Sequence, residues 1–249
     1  GVNWATALLN WAKRKEITIN GAPSTVTLTD DFSGTDDWTD TGTGIGVNVS
    51  TDVIDWDGIR NGTNCATVYD LTSVSDTAWV LRFKLTIDVA TATSSNENRL
   101  YMVVSDEAGA SDDENSQDFI GLYLNYPTST FNIRSCWGNQ NPLSGGGDDF
   151  TTTGSVTTYY VEIKRTSATG AQISLYSDSL YSQIIETRNR DITADVTNLR
   201  YIKFQNLNGV ASGGSLNGTI DDVVFYNGVA QIENIPGQQT SNDVDFTSD

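Results

Sequence analysis

From residue 26 onwards, apolar and polar residues alternate with a period of two along much of the chain. In the segment 79–87, every odd-numbered residue is apolar, and Arg82 and Lys84 lie between them. Successive side chains of a strand point to opposite faces, so the pattern predicts strands with one buried and one solvated face. The segments 160–164 and 201–204 alternate in the same way. This periodicity is typical of antiparallel sheets packed as a sandwich.

Segments rich in Gly, Asn, Asp and Ser separate the predicted strands, and these residues favour turns. The longest such segment, 138–149, contains three consecutive Gly and is predicted to be an irregular, functional loop. Besides 26–29, the clearest predicted strands are 45–54, 66–71, 79–88, 100–105, 119–125, 131–136, 158–165, 172–176, 199–205 and 219–226.

The composition excludes several classes of function. The chain has no His, which removes Ser-His-Asp and Cys-His catalysis and imidazole metal ligands. Its two Cys cannot form a four-thiolate zinc site. The formal charge of −18 repels phosphate backbones, so we expect no nucleic-acid partner. No apolar run approaches the roughly 18 residues of a membrane span.

The surface chemistry points to an extracellular, cell-surface or virion location. Lys is scarce, and N-x-S/T sequons occur at Asn48, Asn61 and Asn217. In an oxidising compartment, Cys65 and Cys136 could form a disulfide. The alternative, two separate buried thiols, is equally compatible with the sequence, so both interpretations stay open.

The first residues differ from the rest of the chain. Trp4, Leu8 and Trp11 recur at helical spacing, and the basic cluster 13–15 follows them. This segment is predicted to be a short helix that either packs on its own domain or docks on a neighbouring subunit. We therefore expect an N-terminal arm over 1–25 (short helix plus strand), a β-sandwich over 26–229 and a polar tail over 230–249.

Two motifs suggest a family. The segment 28–38 (LTDDFSGTDDW) resembles the opening of many modules of the concanavalin A-like superfamily, the laminin-G-like jelly-roll lectins and glucanases. The segment 218–228 (GTIDDVVFYNG) is similar to the last strand of that family, and 79–84 resembles a central strand. The resemblance covers about residues 26–229. It implies an all-β, antiparallel two-sheet jelly-roll sandwich, here with a short N-terminal helix or arm.

The resemblance also implies a structural calcium ion in many members. Calcium takes six to eight oxygen ligands. If the first and last strands pair, Asp30, Asp31, Asp221 and Asp222 come together as candidate ligands. Asp221 shares a face with Val223 and Phe225, so an inward carboxylate there would need a metal or a hydrogen-bond partner. The alternative is a hydrogen-bonded Asp that caps a turn.

The hydrolase branch of the superfamily carries closely spaced carboxylates on one strand, and this chain lacks that spacing. Its acidic pairs are adjacent in sequence, so on a strand they point to opposite faces. Glu162 lies on an alternating strand with Lys164 on the same face, which predicts a surface cross-strand pair. We therefore predict no enzyme and no catalytic residue, and keep a glycoside hydrolase only as an alternative.

Sugar recognition in such folds uses aromatic platforms with polar side chains. The candidate glycan-binding residues are Trp137, Asn139, Asn141, Trp38, Trp56 and Tyr126. We predict a non-enzymatic surface module for adhesion or assembly, with glycans, copies of itself or a neighbouring structural protein as partners. A free calcium-dependent lectin module is the second interpretation.

Overall fold

The computed structural model describes residues 26–33, 37–42, 44–48, 50–57, 65–91, 100–109, 117–125, 132–139, 150, 157–206 and 215–232. Within these ranges the chain forms strands and no helix, which confirms the all-β prediction. The strands are β1 (Val26–Asp30), β2 (Thr39–Thr41), β3 (Ile45–Asn48), β4 (Val53–Asp57), β5 (Cys65–Asp70), β6 (Trp79–Thr91), β7 (Leu100–Ser105), β8 (Asp118–Asn125), β9 (Asn132–Asn139), β10 (Thr158–Ser167), β11 (Gly170–Tyr176), β12 (Ile184–Asp191), β13 (Tyr201–Asn206) and β14 (Ser215–Asn227).

The described strands form two antiparallel sheets. The first sheet has the order β12-β11-β10-β6-β14-β4-β3, and β1 pairs with β14 beside β4. The second sheet has the order β2-β5-β13-β7-β8-β9. The first and last strands therefore lie together, as predicted. The described residues include no helix with the length and apolarity needed to cross a bilayer.

The core lies between the inner faces of the two sheets. The odd-numbered residues 79–87 of β6 are at most 1 % exposed, as the alternation predicted. Phe83 of the first sheet meets Phe204 of the second edge to face, with ring centroids 5.5 Å apart. Such aromatic contacts stabilise a packed interior beyond the burial of their area.

Two strand predictions were wrong. The predicted strand 45–54 is a hairpin of β3 and β4, because Asn48 caps a turn by accepting the amide of Ser50 at 3.1 Å. The sequence also failed to reveal β12, whose residues range from half-buried to exposed. An edge strand carries little alternation, and its inward side chains Glu186, Arg188 and Arg190 are charged.

Candidate functional site

An open groove with a volume of about 1080 Å³ lies where β3, β4, β14 and the end of β6 meet. Its lining combines polar and apolar groups, and the apolar surface is the larger of the two. The lining residues are Gly44, Ile45, Gly46, Val47, Asn48, Ser50, Asp55, Trp56, Asp88, Asn217, Gly218 and Thr219.

Strand pairing places the polar groups of the groove side by side. Asp55 of β4 lies opposite Thr219 of β14, and Gly46 of β3 lies opposite Asp55. Asn48 donates to the carboxylate of Asp55 at 2.6 Å, which fixes both side chains. Three neighbouring strands therefore present hydrogen-bonding groups to one opening.

A bulge in the β6–β14 pairing brings a second carboxylate to the groove. Asn217 pairs with Val89 and Gly218 with Ile87, so Asp88 has no register partner on β14. Bulges re-aim a side chain by locally bending the strand. Asp88 is exposed and lines the groove, which gives this opening two carboxylates, Asp55 and Asp88.

Trp56 forms an aromatic part of the groove although it is only 3 % exposed. Its indole N–H is buried and has no acceptor in the described part of the chain. A Cβ at Gly218 would clash with the backbone oxygen of Thr86 and the Trp56 ring, so this position requires glycine. Because an unpaired buried donor is costly, an oxygen acceptor entering beside Trp56 would be stabilised.

Of the predicted glycan-binding residues that the structure describes, only Trp56 lines the groove. Trp38 and Trp137 belong to the hydrophobic core, as Trp56 also does, so these two candidates pack inside the sandwich and do not line the groove. Trp38 stacks on Phe204 and donates its N–H to Asp30 at 2.8 Å. Trp137 lies four residues after Ile133 on β9, so both side chains point to the same, inward face.

The remaining predicted residues are not brought to the groove. Asn139, the last residue of β9, donates to the hydroxyl of Thr193 at 3.1 Å. β9 is an edge strand of the second sheet, whereas the groove lies in the first. Asn141 and Tyr126 lie outside the described residues. Sequence reasoning noted Asn48 and Asn217 only as sequons and missed Asp55, Asp88 and Thr219. These residues come from four strands, and no local spacing signals that they meet.

The candidate calcium ligands already have hydrogen-bond partners. Asp30 accepts the amide of Phe32 and the indole of Trp38, each at 2.8 Å. Asp31 accepts the hydroxyl of Ser33 at 2.6 Å, and this bond lowers the pKa of the Asp31 carboxyl. Among the described residues, no three His, Cys, Asp or Glu side chains converge as metal ligands. The hydrogen bonds of Asp30 and Asp31 fit the turn-capping alternative, and calcium binding stays a prediction.

The orientation predicted for Asp221 was wrong. A bulge between Asp221 and Val224 inserts Asp222, which adopts a left-handed backbone with φ of 52°. The extra residue sends Asp221 to the outer face, where Lys84 donates to it at 3.0 Å, while Val223 stays buried. Burial, with the charge of Asp221 as a lesser cause, raises the pKa of the Asp222 carboxyl.

Glu162 is not the surface residue that the alternation predicted. It is 2 % exposed, and its carboxylate accepts the Arg82 Nε–H at 2.7 Å and pairs with Lys164 at 3.0 Å. Tyr176 donates its hydroxyl to the same carboxylate at 3.3 Å. Side chains from β11 and the following loop cover this ion pair, so the outer face of the first sheet has its own packed layer.

The structure favours the second interpretation of the cysteines. Neither Cys65 nor Cys136 forms a disulfide, and both are buried. They lie on β5 and β9, which three strands of the second sheet separate, so about 19 Å of sheet lies between them. A disulfide requires Cα atoms within roughly 7 Å. The predicted arm residues Trp4, Leu8 and Trp11 lie outside the described residues.

No family model matches the chain, and no curated protein matches its sequence. The fold is similar to the CBM2 module of the evolved Dit of Lactobacillus casei BL23 phage J-1, at 7% identity and a TM-score of 0.50, over 83% of this chain and 97% of that chain. It is also similar to a protein called a conserved carbohydrate esterase from Shiga toxin-encoding bacteriophage phi24B, at 12% identity and a TM-score of 0.52, over 82% and 99% of the two chains.

A third similar structure is lectin II from Ulex europaeus, at 9% identity and a TM-score of 0.51, over 76% of this chain and 92% of that chain. At these identities the likeness concerns the fold. The chain therefore has the two-sheet sandwich found in carbohydrate-binding and lectin structures, and the concanavalin A-like superfamily stays a prediction.

Proposed function

We propose that this chain is a non-enzymatic glycan-binding module of an extracellular, cell-surface or virion assembly, and that the groove is its sugar site. One observation carries the proposal: the groove gathers Asn48, Asp55, Asp88, Asn217 and Thr219 around one opening. Sugar hydroxyls both donate and accept hydrogen bonds, and these side chains offer both kinds of partner. A few convergent polar groups in a concave site are what orient a small ligand.

The similar structures support this interpretation of the groove. One is called a carbohydrate-binding module of a phage protein, and another is a lectin. These names also support a place outside the cell or on a virion. The similar protein from bacteriophage phi24B is called a carbohydrate esterase, but a chain without His cannot use a Ser-His-Asp triad. Binding without bond cleavage is the function that fits both the groove and the composition.

The test is a glycan array probed with the labelled full chain, followed by titration of each glycan that binds. Asp88→Asn and Thr219→Val each remove a groove hydrogen bond and should weaken binding about tenfold, the equivalent of roughly 1.4 kcal/mol. Asp191→Asn is the matched control, because it changes the same charge on exposed β12, at the far edge of the sheet. Binding that no groove variant weakens, or no binding to any glycan, would contradict the proposal.

The same array separates the remaining interpretations. Repeating it with a chelator tests the calcium-dependent lectin, which predicts that the signal disappears. Chromatography of the bound oligosaccharides after incubation tests the glycoside hydrolase, which predicts shortened products. We expect an unchanged signal and intact oligosaccharides.

The assembly role is tested separately, through the predicted arm. If Trp4, Leu8 and Trp11 dock on a neighbouring subunit, the full chain should form an oligomer that dissociates when residues 1–15 are removed. Light scattering of the two proteins gives the masses. A full chain that is already monomeric would contradict the assembly role and leave the glycan site unaffected.

A further inference from the structure

Beyond the groove, the outer face of the first sheet carries a cluster of three tyrosines, Tyr160, Tyr176 and Tyr181. The Tyr181 ring lies over the Arg82 guanidinium, whose Cζ is 4.3 Å from the ring centroid. Tyr160 and Tyr176 meet the Tyr181 ring edge to face, with centroids 6.1 and 5.3 Å away. Tyr181 thus lies on top of the sheet, with one ring face towards Arg82, and it remains partly exposed.

The loop between β11 and β12 holds Tyr181 in this position. The Asp178 carboxylate accepts the amides of Ser182 at 3.0 Å and Gln183 at 2.7 Å, and its carbonyl accepts the Tyr181 amide at 3.1 Å. Tyr181 itself has a φ of 53°, which is unfavourable for a bulky residue. The loop therefore fixes a strained aromatic residue where a simple turn would place a small one.

Each cation beneath the tyrosines has a carboxylate partner, although two of them share one. Arg82 and Lys164 both pair with Glu162, and Lys84 pairs with Asp221. The groove adds the carboxylates of Asp55 and Asp88. From the tyrosines to the groove, three cations therefore face four carboxylates, and this excess of negative charge disfavours sulfated or sialylated chains. The surface also offers the partly exposed ring of Tyr181.

A continuous polar track joins the tyrosines to the groove. On β6, Arg82, Lys84 and Thr86 point outward in turn, and exposed Asp88 follows at the groove. Thr86 shares a hydrogen bond of 3.1 Å with Thr158 and lies opposite groove residue Thr219. From Arg82 to Thr86 the strand rises about 13 Å. One sugar ring cannot cover that distance, whereas an extended chain of several rings can.

We infer that Tyr181 is the platform of a second sugar subsite, and that the ligand is a neutral, extended glycan lying along β6 from the groove to Tyr181. The inference rests on the proposed function and deepens it. An apolar C–H face of a sugar ring packs on the aromatic face, and neighbouring polar groups such as Lys84 and Thr86 bond its hydroxyls. Arg82 beneath the ring holds the platform flat on the sheet.

The test uses neutral oligomers of glucose, galactose and N-acetylglucosamine, from the monosaccharide to the hexasaccharide, titrated against the full chain. Affinity should rise with length until the chain spans both subsites. Tyr181→Ala should remove that gain, about tenfold, and leave short oligomers unaffected. Tyr181→Phe keeps the ring and should retain most of the gain. Asp88→Asn should weaken short and long oligomers alike, and unchanged melting temperatures show that the variants are folded.

The outcomes distinguish the two proposals. If Tyr181→Ala binds long oligomers as tightly as the unaltered chain, the second subsite is wrong and the groove proposal stands. Affinity that does not depend on oligomer length would overturn the second subsite in the same way. If no neutral oligomer binds to the unaltered chain, both proposals fall. Preferential binding of sulfated or sialylated oligomers would overturn the neutral ligand.

Discussion

The outer faces of the two sheets differ in a way that strand alternation does not reveal. The first sheet presents Lys84, Asp221 and hydroxyl-bearing side chains, many of them half-exposed. The second presents Tyr101, Val103, Phe119, Tyr123 and Cys136, which pack together and are each at most 2 % exposed. One outer face is thus a polar surface with an opening, and the other is a second hydrophobic interior.

A lysine on the second sheet shows how completely its outer face is covered. Lys203 of β13 alternates with apolar residues and was predicted to be solvated, yet it is 1 % exposed. Its ammonium donates to Gln117 at 2.5 Å and to the Gly109 carbonyl at 3.3 Å. Gly109 and Gln117, at the two ends of the connection between β7 and β8, therefore lie over this face. A covered face contributes stability, whereas an open face is available for binding.

The largest expected effect compares one tyrosine from each face. Tyr123 stacks on Tyr101 with centroids 5.0 Å apart and is fully buried. Tyr123→Ala should reduce the free energy of unfolding by about 3–5 kcal/mol. Tyr181→Ala should cost no more than about 1 kcal/mol. Urea denaturation measures both, and equal costs would show that the two faces are equally buried.

The next prediction concerns the ion pair under the first face. Glu162→Ala leaves Arg82 buried without its carboxylate, which should destabilise the protein by about 3 kcal/mol. The double variant Arg82→Met, Glu162→Leu removes both buried charges, leaves only the partly exposed Lys164 without its partner, and should recover part of that loss. Urea denaturation again gives the values. If the single variant costs nothing, this part of the first face is more open to water than the structure shows.

A smaller effect is expected from the carboxyl at the β14 bulge. Because the pKa of Asp222 is raised, its folded state holds the proton more readily than its unfolded state, so stability decreases as the pH rises through that pKa. Asp222→Asn removes this loss, and Asn tolerates the left-handed backbone.

We therefore expect a slightly higher melting temperature at neutral pH for Asp222→Asn, with no gain in acid. Thermal denaturation over a pH series measures the difference. Asp195→Asn, at an exposed loop position, serves as the control. A lower melting temperature of the Asp222 variant at neutral pH would contradict the assignment.

The smallest expected change is none at all. Cys136 lies in the covered cluster of the second sheet, and Cys65 lies in the main core, where burial raises the pKa of its thiol. Neither should react with a thiol reagent in the folded protein, and both should react after denaturation. A reductant should leave the melting temperature unchanged. A drop on reduction would indicate a disulfide and a different register of the second sheet.

The sequence predicts individual strands well where one face is apolar without interruption. Residues 79–87 of β6 and 100–105 of β7 are such cases. It fails where a local irregularity changes the face, as at Asp221, because a bulge of one residue reverses every orientation that precedes it. It also fails for β12, because a charged edge strand needs no alternation.

The candidate site is predicted less well than the fold. Trp38, Trp56 and Trp137 were all selected from their residue type, and all three belong to the hydrophobic core, although Trp56 also borders the groove. Tryptophan suits both a binding platform and a packed interior, so its type alone does not separate the two. The groove side chains Asp55, Asp88 and Thr219 carry no distinguishing local pattern, because their meeting depends on which strands become neighbours.

The sequence by itself determined the all-β class, the inward residues of the long strands and the exclusion of histidine chemistry, because period-two alternation and composition are local properties. Only the tertiary structure decided which outer face is covered, where the β14 bulge turns Asp221 outward and which strands enclose the groove. Those features arise from contacts between residues far apart in the chain, such as Lys203 with Gln117 and Asp55 with Thr219. Such contacts stabilise the protein only after the sheets have formed and brought these residues together.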